Sequence, residues 1–172
     1  MKTWLLLLFI SIMLIFTGCG ETQLTEFKCE AGNFTALMPG TPKHDTREIK
    51  TQVGMVKLNL YSSGSGNEIF MASYSDYPEK FAKMAVPDVV LQGSKEGAAK
   101  NVNGNIVSEE KITFGKIPGY QFDIEVPKKA NMRCKIFLDR VRLYQFMIVA
   151  PVDGGYTKPQ LKFLDSIKLE IK

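Results

Sequence analysis

Residues 143–150 read Leu-Tyr-Gln-Phe-Met-Ile-Val-Ala, and this stretch decides the fold. The apolar residues of this stretch lie on both faces of an extended chain, so apolar and polar residues do not alternate along it. A strand of this kind is covered on both faces, as strands inside a sheet are. Pro151 follows directly and ends it, because proline cannot donate to a strand ladder. The stretch therefore predicts a strand near the middle of its sheet.

Runs on the N-terminal side of this stretch predict antiparallel neighbours, because very short turns separate them. Tight turns of this length join antiparallel strands. The two predicted hairpins are Ile106–Phe114 with Ile117–Val126 around Gly115-Lys116, and Met132–Leu138 with Val141–Ala150 around Asp139-Arg140. In Ile117–Val126, Asp123 and Glu125 share a face. The alternation explains both carboxylates as the solvated side of a half-buried strand rather than as an acid–base pair.

Three earlier runs and two helical patterns complete the predicted architecture. The predicted strands are Asn33–Met38, Met55–Tyr61 and Ile69–Ser73. Helical spacing of apolar residues follows Tyr77-Pro78 and continues to Val102, with a break expected near Pro87. A last helix is expected from about Thr157, with Leu161, Leu164 and Ile167 on one face. The fold class predicted is α+β, a single antiparallel β-sheet with helices packed on its faces.

The N-terminus has the pattern of an export signal. Lys2 precedes an apolar run from Trp4 to Phe16, which is shorter than the roughly 20 residues a membrane-spanning helix needs. Phe16-Thr17-Gly18-Cys19 then resembles the bacterial lipobox, although Leu is usual at the position of Phe16. In that signal the cysteine thiol receives a diacylglyceryl group and the chain is cut just before it.

This resemblance implies a lipoprotein held on a membrane by Cys19. The predicted divisions are a signal peptide over residues 1–18, a lipidated tether over residues 19–26 and one globular domain over residues 27–172. The expected location is the periplasmic or extracytoplasmic face of the bacterial cell envelope. Two or more acyl chains satisfy the requirement for stable anchoring. The alternatives are an ordinary signal peptide that happens to contain a cysteine, and an uncleaved anchor.

The other two cysteines, Cys29 and Cys134, leave two readings open. An oxidising compartment permits a disulfide between them. Alternatively both are buried free thiols, because the sequence does not show whether their Cα atoms come within reach.

Several kinds of chemistry lack the residues they need. His44 is the only histidine, and it reads as a surface residue at a strand start. A structural zinc site needs three or four ligands close together, which one histidine and two distant cysteines do not supply, and no metal or cofactor is predicted. The net charge is only +4, and the basic residues are spread along the chain, so nucleic acid is not an expected partner.

The mature region resembles a group of bacterial exported proteins with the Mog1/PsbP-like fold, an α/β/α sandwich. The segments that carry the resemblance lie in order along the chain: Phe34–Pro42, Tyr74–Pro78, Pro118–Phe122, Arg142–Gln145 and Phe163–Leu169. Members of that fold include a photosystem accessory protein and a nuclear-transport factor that binds a small GTPase, and neither is an enzyme. The resemblance implies a non-catalytic domain, and no metal-binding residue carries over to this chain.

The expected function is therefore binding or scaffolding of another envelope protein. Tyr74, Asp76 and Tyr77 form a candidate interface, because tyrosines are enriched at interfaces. Alternatively Asp76 caps a helix and the two tyrosines lie at the edge of the core. Two other functions stay open, a small-ligand carrier with a pocket between sheet and helix, and an enzyme of unfamiliar type.

Overall fold

A computed structural model describes residues 22–51, 54–65, 68–82 and 86–170 of the 172-residue chain. The predicted signal peptide and Cys19 lie outside the described residues. The strands are β1 (Leu24–Cys29), β2 (Phe34–Pro39), β3 (Lys43–Thr51), β4 (Gly54–Ser65), β5 (Glu68–Asp76), β6 (Asn105–Phe114), β7 (Ile117–Val126), β8 (Ala130–Asp139), β9 (Arg142–Pro151) and β10 (Lys168–Leu169). The helices are α1 (Glu79–Ala82), α2 (Pro87–Asn101) and α3 (Lys158–Asp165).

The large sheet has seven antiparallel strands in the order β3-β4-β5-β9-β8-β7-β6. β9 is the central strand, as its apolar sequence predicts. Both predicted hairpins are present, although the β8–β9 turn lies one residue later than expected, at Arg140 and Val141. Arg140 takes a positive φ of 54° there.

The prediction of a single sheet is wrong, because β1, β2 and β10 form a second, three-stranded antiparallel sheet. Pro39 ends β2, and Gly40 takes a positive φ of 59°, so the chain turns away before β3 begins. β2 then pairs with β1 and β10 instead of joining the large sheet. Aromatic rings join the two layers, with Phe34 5.3 Å from Phe146 between ring centroids.

Helices lie on both faces of the large sheet, as the sandwich prediction requires. Alternate residues of β9 point to opposite faces. Tyr144, Phe146 and Ile148 belong to a first core, which is shared with α3 and the second sheet. Leu143 belongs to a second core, which lies under α2 and against β7 and β8. The architecture is therefore α+β, with α3 sharing its side with the second sheet.

The predicted break near Pro87 is present. α1 ends at Ala82, and α2 begins at Pro87. Proline suits the first turn of a helix, where its missing N–H has no partner to lose. α3 begins with a capping box, in which Gln160 N–H donates to Thr157 Oγ1 at 3.4 Å and Thr157 N–H donates to Gln160 Oε1 at 3.0 Å.

Two strands have no counterpart among the predicted elements. β3 is an edge strand with almost every side chain exposed. His44 lies near its start and stacks on Tyr61 at 4.5 Å between ring centroids. β1 begins at Leu24, so the predicted boundary between tether and domain at residues 26 and 27 falls within a strand.

Candidate functional site

The part of one face of β6, β7 and β8 that lies toward the β7–β8 turn is polar, and we call it the open polar face. Farther from that turn, Ile117 and Phe137 on the same face belong to the first core. Strand pairing places its residues next to one another: Ser108 opposite Asp123, Glu110 opposite Gln121, and Asp123 opposite Arg133. On this side of the large sheet, α3 packs mainly on β5 and β9, and β2 packs near β4. The side chains of β6–β8 are consequently exposed or half-buried here.

Asp123 and Arg133 form a fixed ion pair at the centre of this face. Arg133 Nε and Nη2 donate to the two carboxylate oxygens at 2.7 and 2.9 Å. The Ser108 hydroxyl donates a third hydrogen bond at 2.9 Å. Partial burial raises the pKa of Asp123, but the hydrogen bonds and the charge of Arg133 outweigh it, and the pKa lies below its usual range. The bidentate geometry holds the guanidinium in one orientation.

Tyr156 completes the centre of the face from the loop before α3. Its ring lies 4.8 Å from Arg133 Cζ, which is a cation–π distance. Partial burial, helped by the charge of Asp123, raises the pKa of the Tyr156 hydroxyl to about 12. The phenol is therefore neutral in the physiological range, so that its titration does not alter the Arg133–Tyr156 contact there.

Further hydrogen bonds border this centre. Gln121 Nε2 donates to Glu110 at 2.9 Å. Lys135 Nζ donates to the carbonyl of Leu164 and pairs with Asp165, each at 3.1 Å, which ties the face to the end of α3. The result is a surface of prearranged charges and donors rather than a cleft around a nucleophile. In the described part of the chain, no group of three His, Cys, Asp or Glu side chains is arranged to hold a metal ion.

The structure places the predicted interface residues at the edge of the core. Tyr74 is only 7% exposed, and Arg142 Cζ lies 4.8 Å from its ring. Asp76 does not cap a helix, because Arg142 donates to both of its oxygens at 2.6 and 2.7 Å. Tyr77 is half-buried against the second core, and burial raises its pKa. Arg142 also donates to the carbonyl of Ala31 at 3.0 Å, so the group joins β5, β9 and the β1–β2 turn.

Of the two alternatives for Cys29 and Cys134, the structure has the free thiols and not the possible disulfide. Both are buried free thiols. Cys29 belongs to the first core and accepts a hydrogen bond from Gly32 N–H at 3.3 Å. Cys134 belongs to the second core, on the other side of the large sheet, where burial raises its pKa to about 12. The sheet itself separates the two sulfur atoms.

Sequence reasoning missed an ionic network between α2 and the sheet, in which the lysine is buried and the two carboxylates are exposed. Lys95 is 4% exposed, pairs with Glu109 and lies 5.0 Å from the centre of the Tyr120 ring. The Tyr120 hydroxyl donates to Asp88 at 2.8 Å and accepts from Gln92 at 2.9 Å. A lysine on a helix normally points to solvent. The position of Lys95 between apolar residues is the only feature of the sequence that indicates its burial.

This network bears on the small-ligand alternative. Around it, Leu91, Phe122 and Ile124 are each 1% exposed, so side chains fill the described part of the interface between α2 and the sheet. A ligand carrier needs a cavity with convergent polar groups at such a place. Here the polar groups converge on one another, which counts against a carrier.

Cys19, the predicted lipidation site, lies outside the described residues. Among the described helices, none has the length and apolar character needed to cross a membrane.

Comparison with known proteins establishes the fold. No family model matches the chain, and no curated protein matches it. Among solved structures, it is similar to the solution structure of the cyanobacterial PsbP protein CyanoP from Synechocystis sp. PCC 6803, with a TM-score of 0.56. The sequences are 13% identical, and the match covers 88% of this chain and 95% of CyanoP. Fold similarity at this identity does not transfer an activity. The chain therefore has a PsbP-like fold.

Proposed function

We propose that this chain is an exported lipoprotein, anchored through Cys19, whose domain binds another envelope protein through the open polar face. The observation that carries the binding site is the Arg133–Tyr156 stack, held by Asp123 on an uncovered sheet face. The lipobox-like sequence before Cys19 supports the anchor. The domain acts by binding and not by catalysis, in keeping with its PsbP-like fold.

Arginine and tyrosine are the residue types that most often dominate binding energy at protein interfaces. Both normally lose side-chain freedom on binding, which opposes association. On this face Asp123 fixes the guanidinium and the ring of Tyr156 lies against it, so much of that freedom is already lost. The arrangement favours a partner that offers acceptors to Arg133 and apolar area to Tyr156.

In-cell photocrosslinking tests this proposal. A photoreactive amino acid replaces Gln121 on the open polar face, and a matched variant carries it at Glu96, which is exposed on α2. We expect a discrete adduct from position 121 that is much weaker from position 96. Arg133→Ala in the position-121 variant should reduce the adduct in protein that is still exported and folded, although the loss of the ion pair with Asp123 lowers its stability. Equal adducts from both positions, or an adduct insensitive to Arg133→Ala, contradict the proposed site.

A further inference from the structure

We propose that the domain rests end-on against an anionic lipid surface, with the Lys128-Lys129 turn in contact with lipid headgroups. This inference rests on the proposed lipid anchor at Cys19. The end concerned carries the β4–β5 and β7–β8 turns and the β9–α3 loop, and we call it the proximal end. The opposite end, with the β6–β7 turn at Gly115 and Lys116, is the distal end.

The connection between Cys19 and the folded domain is very short. β1 begins at Leu24, and the hydroxyl of Thr22 already donates to the carboxylate of Glu68 at the start of β5. Cys19 lies three residues before Thr22. An extended chain of that length spans at most about 11 Å. A lipid on Cys19 therefore keeps the Thr22–Glu68 contact within about one headgroup layer of the membrane surface.

Strand pairing places the β7–β8 turn at the same end as Thr22. Ile69, next to Glu68, pairs with Val149 of β9. β9 continues to Pro151, which pairs with Ala130 of β8, and Ala130 pairs with Val126 across the turn. The large sheet thus brings the turn that contains Lys128 and Lys129 to the proximal end.

The proximal end carries more positive than negative charge. Its charged residues are Lys100, Lys128, Lys129 and Lys158 against Glu68, Glu125 and Asp153. All four lysines are exposed, whereas Glu68 is half-buried and accepts the Thr22 hydrogen bond. Lys128 and Lys129 are adjacent at the tip, and the apolar Val152 is 36% exposed on the neighbouring loop.

Charge complementarity makes an anionic bilayer the occupant of this surface. Each lysine near an anionic membrane strengthens attraction by about five-fold, and the effect falls off within a Debye length. The anchor itself delivers this end to the bilayer, so contact requires no further search. An end-on orientation also leaves the open polar face on the side of the domain, where an envelope protein can reach it.

Single tryptophan probes test the orientation. The chain has one tryptophan, Trp4, which lies in the predicted signal peptide, so the mature protein carries none. Val152→Trp places a probe at the proximal end, and Lys116→Trp places the matched probe at the distal end. Lipidated mature preparations of each, cleaved before Cys19, are reconstituted in phosphatidylglycerol vesicles with a spin label on the lipid headgroup. We expect several-fold stronger quenching of the probe at 152 than of the probe at 116.

Charge reversal tests the electrostatic contact. In the Val152→Trp background, Lys128→Glu with Lys129→Glu should reduce quenching in phosphatidylglycerol vesicles. The distal pair Lys116→Glu with Arg140→Glu should leave it unchanged. High salt should reduce quenching of the unreversed protein in the same direction. Unchanged quenching after reversal of Lys128 and Lys129 overturns the headgroup contact.

The outcomes separate this inference from the proposed function. The mass of each preparation shows whether Cys19 carries lipid, and a mature protein without lipid contradicts the anchor and the orientation together. A lipidated protein with equal quenching at 152 and 116 overturns the orientation alone. Crosslinking from position 121 reports on partner binding independently of either result.

Discussion

Cys29 and Cys134 show how a residue's surroundings decide between two interpretations that the sequence leaves open. An oxidising compartment would permit a disulfide, but the two thiols lie in different cores on opposite sides of the large sheet. No sequence pattern distinguishes a disulfide from two buried free thiols, because both cysteines occupy apolar positions in either case. Buried cysteine behaves as a small apolar residue, and that is its role here.

Thiol labelling checks this arrangement. We expect both thiols to resist iodoacetamide in the folded protein, because burial hinders access and raises the pKa of Cys134 to about 12. Both should react once the protein is unfolded without any reductant. Labelling that appears only after reduction would show a disulfide and contradict the structure.

Asp123 gives the open polar face a predictable response to acid. Its pKa is lower in the folded protein than in the unfolded chain, despite partial burial, because of its hydrogen bonds from Arg133 and Ser108. Its contribution to stability is therefore present above the unfolded pKa of about 4 and is lost as the pH falls through the lower, folded pKa.

Asp123→Asn removes this contribution. We expect the variant to be less stable than the wild type near neutral pH, and the difference to shrink below about pH 4. Urea unfolding at a series of pH values measures it, and Asp153→Asn, at an exposed loop carboxylate, serves as the control. If the difference in stability between Asp123→Asn and the wild type stayed constant down to acid pH, the ion pair would not be what stabilises the fold.

At the scale of elements, the sequence predicts what is buried and misses what is exposed. β9 and β7 are correctly placed because burial on one or both faces imposes an apolar pattern. β3 has no such pattern, since it is an edge strand with both faces largely in water. Its charged side chains are typical of edges that avoid pairing with other chains. The sequence does not indicate the second sheet, because the first half of β1 lies in a segment that has the composition of a polar tether.

Two glycines make a matched test of these elements. A Cβ at Gly93 in α2 meets nothing within 4 Å, whereas a Cβ at Gly119 in β7 lies 2.3 Å from the carbonyl oxygen of Ile136. Gly93→Ala should stabilise the protein by up to about 1 kcal/mol, because alanine favours a helix over glycine. Gly119→Ala should destabilise it by about 1–3 kcal/mol through the clash with β8. Thermal unfolding compares the two, and the reverse order would contradict the placement of α2 and β7.

For the whole molecule, the sequence predicts the cellular location of the protein more directly than it predicts the proposed binding surface. An export signal is a continuous stretch, whereas the open polar face combines residues from three strands and a loop. Asp123 was assigned to a solvated face from alternation alone, and Arg133 and Tyr156 gave no local signal. Tyr74, Asp76 and Tyr77 do stand out within one short segment, yet Tyr74 and Asp76 lie against Arg142 at the core edge and Tyr77 packs against the second core.

The proposed lipid anchor at Cys19 gives a prediction for the whole molecule. Cys19→Ala should yield an unprocessed or mislocalised precursor, because no thiol is available to accept lipid. Cys29→Ala is the matched control and should be processed normally, with only a loss of stability from the first core. Fractionation and mass measurement report both. A processed, membrane-bound Cys19→Ala protein would contradict the lipobox interpretation.

The most direct test of binding through the open polar face is the dissociation constant of the crosslinked partner, purified and measured against each variant. Arg133→Ala and Tyr156→Ala should each weaken binding by about 30-fold or more, the effect of losing about 2 kcal/mol at an interface hot spot. Glu96→Ala, on the far side of the molecule, should bind as the wild type does. Unchanged affinity in folded Arg133→Ala and Tyr156→Ala proteins would contradict the proposed function of this face.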